Sequence, residues 1–311
     1  MDRIADILVI VDPTVIDQPA IAKAQALAMR FGASVELLAC DTKYSHETRL
    51  AAELAARGDA ALGGDLEPVL ERWAEPLRNA GVEVSVQSIA GDPLHESVLT
   101  WLRNSPADLV LKDTHHHSLA RRTFISNADW QLIRACPVPL LLTKHIHWRS
   151  PPVFVAAVDP GHANDAAAAL DRRILEFTTA LARRFGVEAH AAHAYLPATI
   201  AAAGPGGMPP PVNVSVEALE AEKLRRRSDI RQLVAEYGIT DANLHLEMGV
   251  AAEFLPRIAG ECHADVVVMG AIARSGLQRI FVGSTAERVL ETMPCDVLVI
   301  KPPDFARDLP F

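Results

Sequence analysis

The chain has 311 residues, 50% of them hydrophobic and 22% charged, a balance that excludes an intrinsically disordered protein and suits a globular one. Its formal charge of −9 at pH 7 argues against broad nucleic-acid binding, because neutralising phosphates needs a basic surface. The length fits two domains of ordinary size, each with its own core.

In chain order, Asp2, Arg3 and Asp6 lie in or beside the first apolar run, which is not a signal-peptide pattern, and no apolar run reaches membrane-span length. The expected compartment is the cytoplasm, with no membrane insertion. Ile7 to Val11 reads as a buried strand ending at Asp12, and Gln18 to Phe31 as a helix crossing back over the sheet. Val35 to Ala39 is a second strand, Tyr44 to Gly58 a helix or ordered excursion, and Pro68 to Asn79 a helix. Val82 to Ile89 gives a third strand, Pro93 to Asn104 a helix and Leu109 to Leu111 a fourth strand. Alternating strands and helices call for a parallel sheet covered on both faces.

The segment HIHWRSPP, His145 to Pro152, marks a domain boundary, since paired prolines continue neither a helix nor a central strand. Beyond it come a strand at Val153 to Val158, a helix at Ala166 to Phe185 and a strand at Glu188 to Ala194. An Ala-, Gly- and Pro-rich connection, Leu196 to Val214, precedes a helix at Val216 to Tyr237. Gly204-Pro205-Gly206-Gly207 is not a dinucleotide loop, because it opens no helix and runs into three prolines. The basic cluster from Lys223 to Arg231 has acidic neighbours and reads as a solvated helix face.

The most informative stretch is Asp265 to Lys301. The apolar run Val266 to Met269 stops at Gly270, as a buried parallel strand ending in a turn does. Gly276, Gly283 and Ser284 follow, then a helix from Thr285 to Thr292 stopped by Pro294, and a strand from Val297 to Ile300. Small residues before a helix N-terminus let backbone N–H groups approach an anion. A shift of 157 positions lays Asp108 to Lys144 on Asp265 to Lys301 without a gap. Val11-Asp12-Pro13 likewise returns as Val158-Asp159-Pro160, and Arg30-Phe31-Gly32 as Arg184-Phe185-Gly186. The chain is two copies of one unit.

This stretch resembles the C-terminal signature of the universal stress protein family, whose nucleotide-binding members carry Gly-x2-Gly-x9-Gly-Ser/Thr. Its positions fall here on Gly270, Ala273, Gly283 and Ser284, so alanine replaces the middle glycine. The tandem layout resembles the family's E-type members. The resemblance implies an α/β fold of two tandem Rossmann-like domains, adenine nucleotide alpha hydrolase-like. Each would be a five-stranded parallel sheet of order 3-2-1-4-5 with helices on both faces. The expected bounds are 1–146 for the first domain, 147–152 for a linker, 153–304 for the second domain and 305–311 for a tail. It also implies an internal pseudo-dimer joined through Leu140 to Thr143 and Val297 to Ile300, with a homodimer possible.

By resemblance, Asp159 contacts adenine, Ala194 lies near the base, and Gly270, Ala273, Gly283, Ser284 and Thr285 cradle ribose and phosphate, with Arg274 as the available cation. The ligand it leads us to expect is ATP or another adenine nucleotide, with Mg2+, and the protein is expected to be non-enzymatic. The first copy carries Asp113 for Gly270, His116 for Ala273, Ser126 for Gly283 and Asn127 for Ser284. A carboxylate about 5 Å from a phosphate charge opposes it by roughly 3 kcal/mol at an effective dielectric of 20, so this copy is expected not to bind ATP in the usual way.

For zinc, the candidate ligands are His115, His117, Cys262 and His263, weighed against a solvated polar loop. The four cysteines lack CxxC spacing, so no disulfide framework is indicated. No GxxxxGK[ST], GxSxG or HExxH motif is present, and Asp92, His95 and Glu96 read as a surface turn. Other readings left open are a carrier of a lipid-like apolar ligand, a structural partner-binding module and a weak ATPase.

Overall fold

The computed structural model describes residues 4–13, 15, 17–41, 66–91, 93–114, 125–160, 165–196, 216–270, 283–303 and 305. In the first repeat the elements are β1 (Asp6–Val11), α1 (Pro19–Phe31), β2 (Ser34–Asp41), α2 (Glu67–Asn79), β3 (Val84–Ala90), α3 (Leu94–Asn104), β4 (Leu109–Asp113), α4 (Asn127–Ala135) and β5 (Leu140–Thr143). The second contains β6 (Phe154–Ala157), α5 (Asp165–Phe185), β7 (His190–Tyr195), α6 (Val216–Ala235), β8 (Leu244–Met248), α7 (Ala251–Glu261), β9 (Val266–Gly270), α8 (Ser284–Thr292) and β10 (Asp296–Ile300). The stretch at Tyr44 to Gly58 and most of the Leu196 to Val214 connection lie outside the described residues.

The strands form one ten-stranded sheet in the order β3-β2-β1-β4-β5-β10-β9-β6-β7-β8. Each repeat contributes the expected 3-2-1-4-5 order, and the two five-stranded halves join into one sheet through β5 and β10, the segments that the resemblance implied. The join is antiparallel, Leu142 opposite Val297 and Leu140 opposite Val299, whereas every other pairing is parallel. Both joining strands are buried throughout. An apolar strand of this kind left at an edge would expose unpaired backbone groups and invite aggregation, so pairing the two edges removes that hazard.

Alternation along the strands sorts the core into two layers. Ile7, Val9 and Val11 face α1 and α2, in a cluster that continues through Phe154 and Ala156 to α5 and α6. Leu8 and Ile10 face the other way, into a cluster with α3, α4, α7 and α8. One layer therefore runs beneath both repeats on each side of the sheet. Gly32 and Gly186 end α1 and α5 with φ of 69° and 71°, left-handed backbone that glycine adopts without a Cβ penalty. Arg30 lies 5.3 Å from the Phe185 ring centroid and Arg184 lies 5.2 Å from that of Phe31. The repeated Arg-Phe-Gly thus makes a reciprocal cation–π contact between the copies.

The boundary segment is pinned by buried carboxylates. The Lys23 ammonium contacts Asp296 Oδ1 at 2.9 Å and Oδ2 at 2.7 Å and donates to the Lys144 carbonyl at 2.7 Å. Asp296 also accepts from the Lys144 N–H at 2.8 Å and from the Trp148 indole at 2.7 Å. The Trp148 ring packs edge-on against Phe154 and Phe185, and Asp265 accepts from the Arg149 N–H at 2.9 Å. The repeat-equivalent lysines reach across in both directions: Lys144 Nζ donates to the Met293 carbonyl and Lys301 Nζ to the Ile133 carbonyl. Cations at the carboxyl ends of α8 and α4 oppose the partial negative charge there.

On α6, Arg225 and Arg226 pair with Glu222, and Arg231 pairs with Asp241. Among the described residues no helix is long and apolar enough to cross a membrane.

Candidate functional site

Parallel pairing sets three sequence-identified residues level at the carboxyl edge of the second repeat. Ala157 lies opposite Ala192 on one side and Met269 on the other. Asp159 and Ala194 therefore follow two residues on, and Gly270 one residue on, at neighbouring strand ends. Such an edge, where strand order reverses, is where open α/β sheets receive ligands. The Asp159 side chain is 39% exposed, and its Oδ1 lies 3.9 Å from His193 Nδ1. His193, buried on β7, holds its ring with Nδ1–H donated to the Val158 carbonyl at 3.0 Å. Asp171 on α5 accepts from the Asp159 N–H at 3.1 Å, fixing the turn after β6.

Gly270 has a packing reason to be glycine. A Cβ at this position would sit 2.6 Å from Leu170 Cδ2, so alanine requires Leu170 to move. Helix α8 begins at Ser284 rather than Thr285, with Gly283 at the N-cap and no side-chain cap. Ser284 is therefore the first helical residue and not the cap. The first N–H groups of a helix have no intrahelical acceptor, and here none is taken by a cap side chain.

The first repeat places charged and hydroxyl groups at these positions. Asp113 ends β4, where Gly270 ends β9, and its Oδ1 accepts from the Ala20 N–H of α1 at 3.0 Å and from the Thr143 hydroxyl. Burial pushes the Asp113 carboxyl above the usual carboxylate range, although the Thr143 and Ala20 hydrogen bonds oppose that shift. Ser126, at the Gly283 position, caps α4 by accepting from the Asp129 N–H at 3.1 Å, while Asp129 accepts from the Ser126 N–H at 2.8 Å. This reciprocal capping box occupies two donors. Asp129 also binds the buried Lys112 ammonium at 2.7 Å. The equivalent residues in the second repeat are Met269 for Lys112 and Ala286 for Asp129.

The Universal stress protein family model matches residues 4–144 and again residues 154–301. The chain belongs to the universal stress protein family. Universal stress protein E of Escherichia coli K12 is 28% identical over 96% of this chain and 95% of its own length. That of Photorhabdus laumondii is 28% identical over 98% and 97%. A putative universal stress protein from Pseudomonas aeruginosa UCBPP-PA14 superposes with a TM-score of 0.76 at 28% identity, covering 98% of this chain and 95% of that one.

Of the candidate nucleotide-binding residues from the sequence analysis, Asp159, Ala194, Gly270, Gly283, Ser284 and Thr285 are described, whereas Ala273 and Arg274 are not. Among the zinc candidates, His115 and His117 lie outside the described residues. Cys262 and His263 follow α7 at the other edge of the sheet from Asp159. Sequence reasoning did not find Asp171, His193 or Leu170, whose roles arise from contacts between elements and leave no local motif.

Proposed function

We propose that this universal stress protein is a non-enzymatic, cytoplasmic stress-response protein that binds one adenine nucleotide, ATP with Mg2+, in its second repeat. One observation carries the reading. Four residues that fill the first cleft with charge and caps, Lys112, Asp113, Ser126 and Asp129, are together replaced by Met269, Gly270, Gly283 and Ala286 in the second. The exchange removes two carboxylates, an ammonium and a capping hydroxyl, and leaves the α8 N-terminus for a ligand's phosphate. Absence of a phosphate-loop lysine motif supports binding without turnover.

Gly283→Asp tests this cleanly. Gly283 has φ of −66° and ψ of 142°, ordinary backbone for aspartate, which is also a favourable N-cap. The fold is retained while a carboxylate occupies the phosphate position. Calorimetric titration of Mg-ATP is expected to give one saturable site in the wild type, weakened about a hundredfold in Gly283→Asp. Equal binding by both proteins would refute the site.

A specific feature favours a second reading. Leu196 just past β7, Met248 at the end of β8 and Val250 just past it, all at the same edge, are exposed by 40%, 47% and 38%. An acyl-bearing ligand would cover them, and native mass spectrometry of gently purified protein would reveal it as an added mass.

A further inference from the structure

At the edge of the sheet opposite the nucleotide cleft, three potential metal ligands converge from three elements. His190 opens β7, His245 is the second residue of β8 and Cys262 caps α7. Ala192 pairs with His245, so His190, two residues earlier on the same face, lies diagonally across from it. That face is covered by α7, which brings Cys262 over both rings. One ligand atom from each residue lies within 4.8 Å of the others. The rings are parallel within 7°, with His190 Nδ1 and His245 Nε2 facing at 3.0 Å. All three residues are half-buried, and β8 ends the sheet, so solvent reaches the site from one side.

We propose that His190, His245 and Cys262 form a zinc site with three protein ligands and one position left to water, tying the outer strand β8 to β7 and α7. Nitrogen and thiolate ligands suit tetrahedral Zn2+, with bonds of roughly 2.0–2.1 Å and 2.3 Å. The three atoms are near enough that small ring rotations and a thiol rotamer change complete the geometry. Without metal, one shared proton joins the facing nitrogens, and the Cys262 thiol donates to the Ile258 carbonyl at 2.9 Å. Binding breaks both hydrogen bonds. The shared proton moves to the outer nitrogen of its own ring, two neutral imidazoles donate lone pairs, and the thiol proton leaves to solvent as the thiolate forms.

Beside the site, Glu188 accepts from the Asn243 side-chain amide at 2.6 Å, which ties the approach to β7 to the approach to β8. The other three cysteines, Cys40, Cys136 and Cys295, are buried, whereas Cys262 is half-buried.

The test uses the full chain, free of any histidine tag and of nucleotide, titrated with Co2+ as a spectroscopic probe. The wild type is expected to bind one equivalent with tetrahedral visible bands and a thiolate-to-cobalt charge-transfer band, displaced by Zn2+. Cys262→Ser should lose the charge-transfer band, and His190→Gln should bind at least tenfold more weakly. Circular dichroism of each metal-free variant checks its fold, so either variant alone suffices. Absence of the charge-transfer band in the wild type would overturn the proposal. So would its persistence, with unchanged affinity, in both variants.

Discussion

Asp296→Ala is expected to destabilise the protein by about 3–5 kcal/mol, the usual cost of removing one partner of a buried ion pair. Asp296 is 0% exposed and serves both repeats, accepting from Lys23, from the Lys144 backbone and from Trp148. Its loss leaves the Lys23 ammonium, 4% exposed, without its ion-pair partner and hydrogen-bonded to the Lys144 carbonyl. Trp148→Phe is the milder comparison, because it deletes one hydrogen bond, about 1 kcal/mol net, and keeps the ring packing on Phe154 and Phe185. Urea unfolding gives both values. An Asp296→Ala midpoint equal to that of Trp148→Phe would show that the carboxylate does not hold the repeats together.

Lys112→Met should cost a similar 3–5 kcal/mol, since Asp129, 0% exposed, is then a buried carboxylate without its ammonium. The protein supplies its own control. Met269 and Ala286 occupy the equivalent positions of the second repeat, packed without charge. Lys112→Met combined with Asp129→Ala is therefore expected to recover most of the loss. The remaining deficit is about 1 kcal/mol, from the broken capping box of α4. If the double variant is less stable than the single one, the two repeats do not tolerate exchange of this pair.

Much of the fold was legible because buried strands here are short apolar runs bounded by turn residues, as in Val266 to Gly270. The repeat made each element count twice. Strand β8 and helix α7 went unread: LHLEM is a half-polar edge strand with its last two residues exposed, and such a strand carries no apolar run. Strand order was not readable from local pattern, because crossovers are decided by packing between distant segments. The boundary at His145 to Pro152 read as a spacer from its prolines, yet Trp148 and Asp296, 148 residues apart, meet within it. The same limit hid two of the three proposed zinc ligands, Cys262 being the one that the sequence offered. Three consecutive histidines attract notice in a sequence, whereas His190 and His245, 55 residues apart, meet only once β7 and β8 pair.

In the proposed function the repeats have diverged, the first cleft occupied by its own side chains and the second left for a nucleotide. An azido-adenine analogue of ATP, photolysed with the wild-type chain and mapped by peptide mass spectrometry, tests it most directly. ATP-protected label is expected only on peptides of the second repeat, around Asp159, Ala194 and the start of α8. Protected label on first-repeat peptides around Asp12, Asp113 or Ser126 would contradict it.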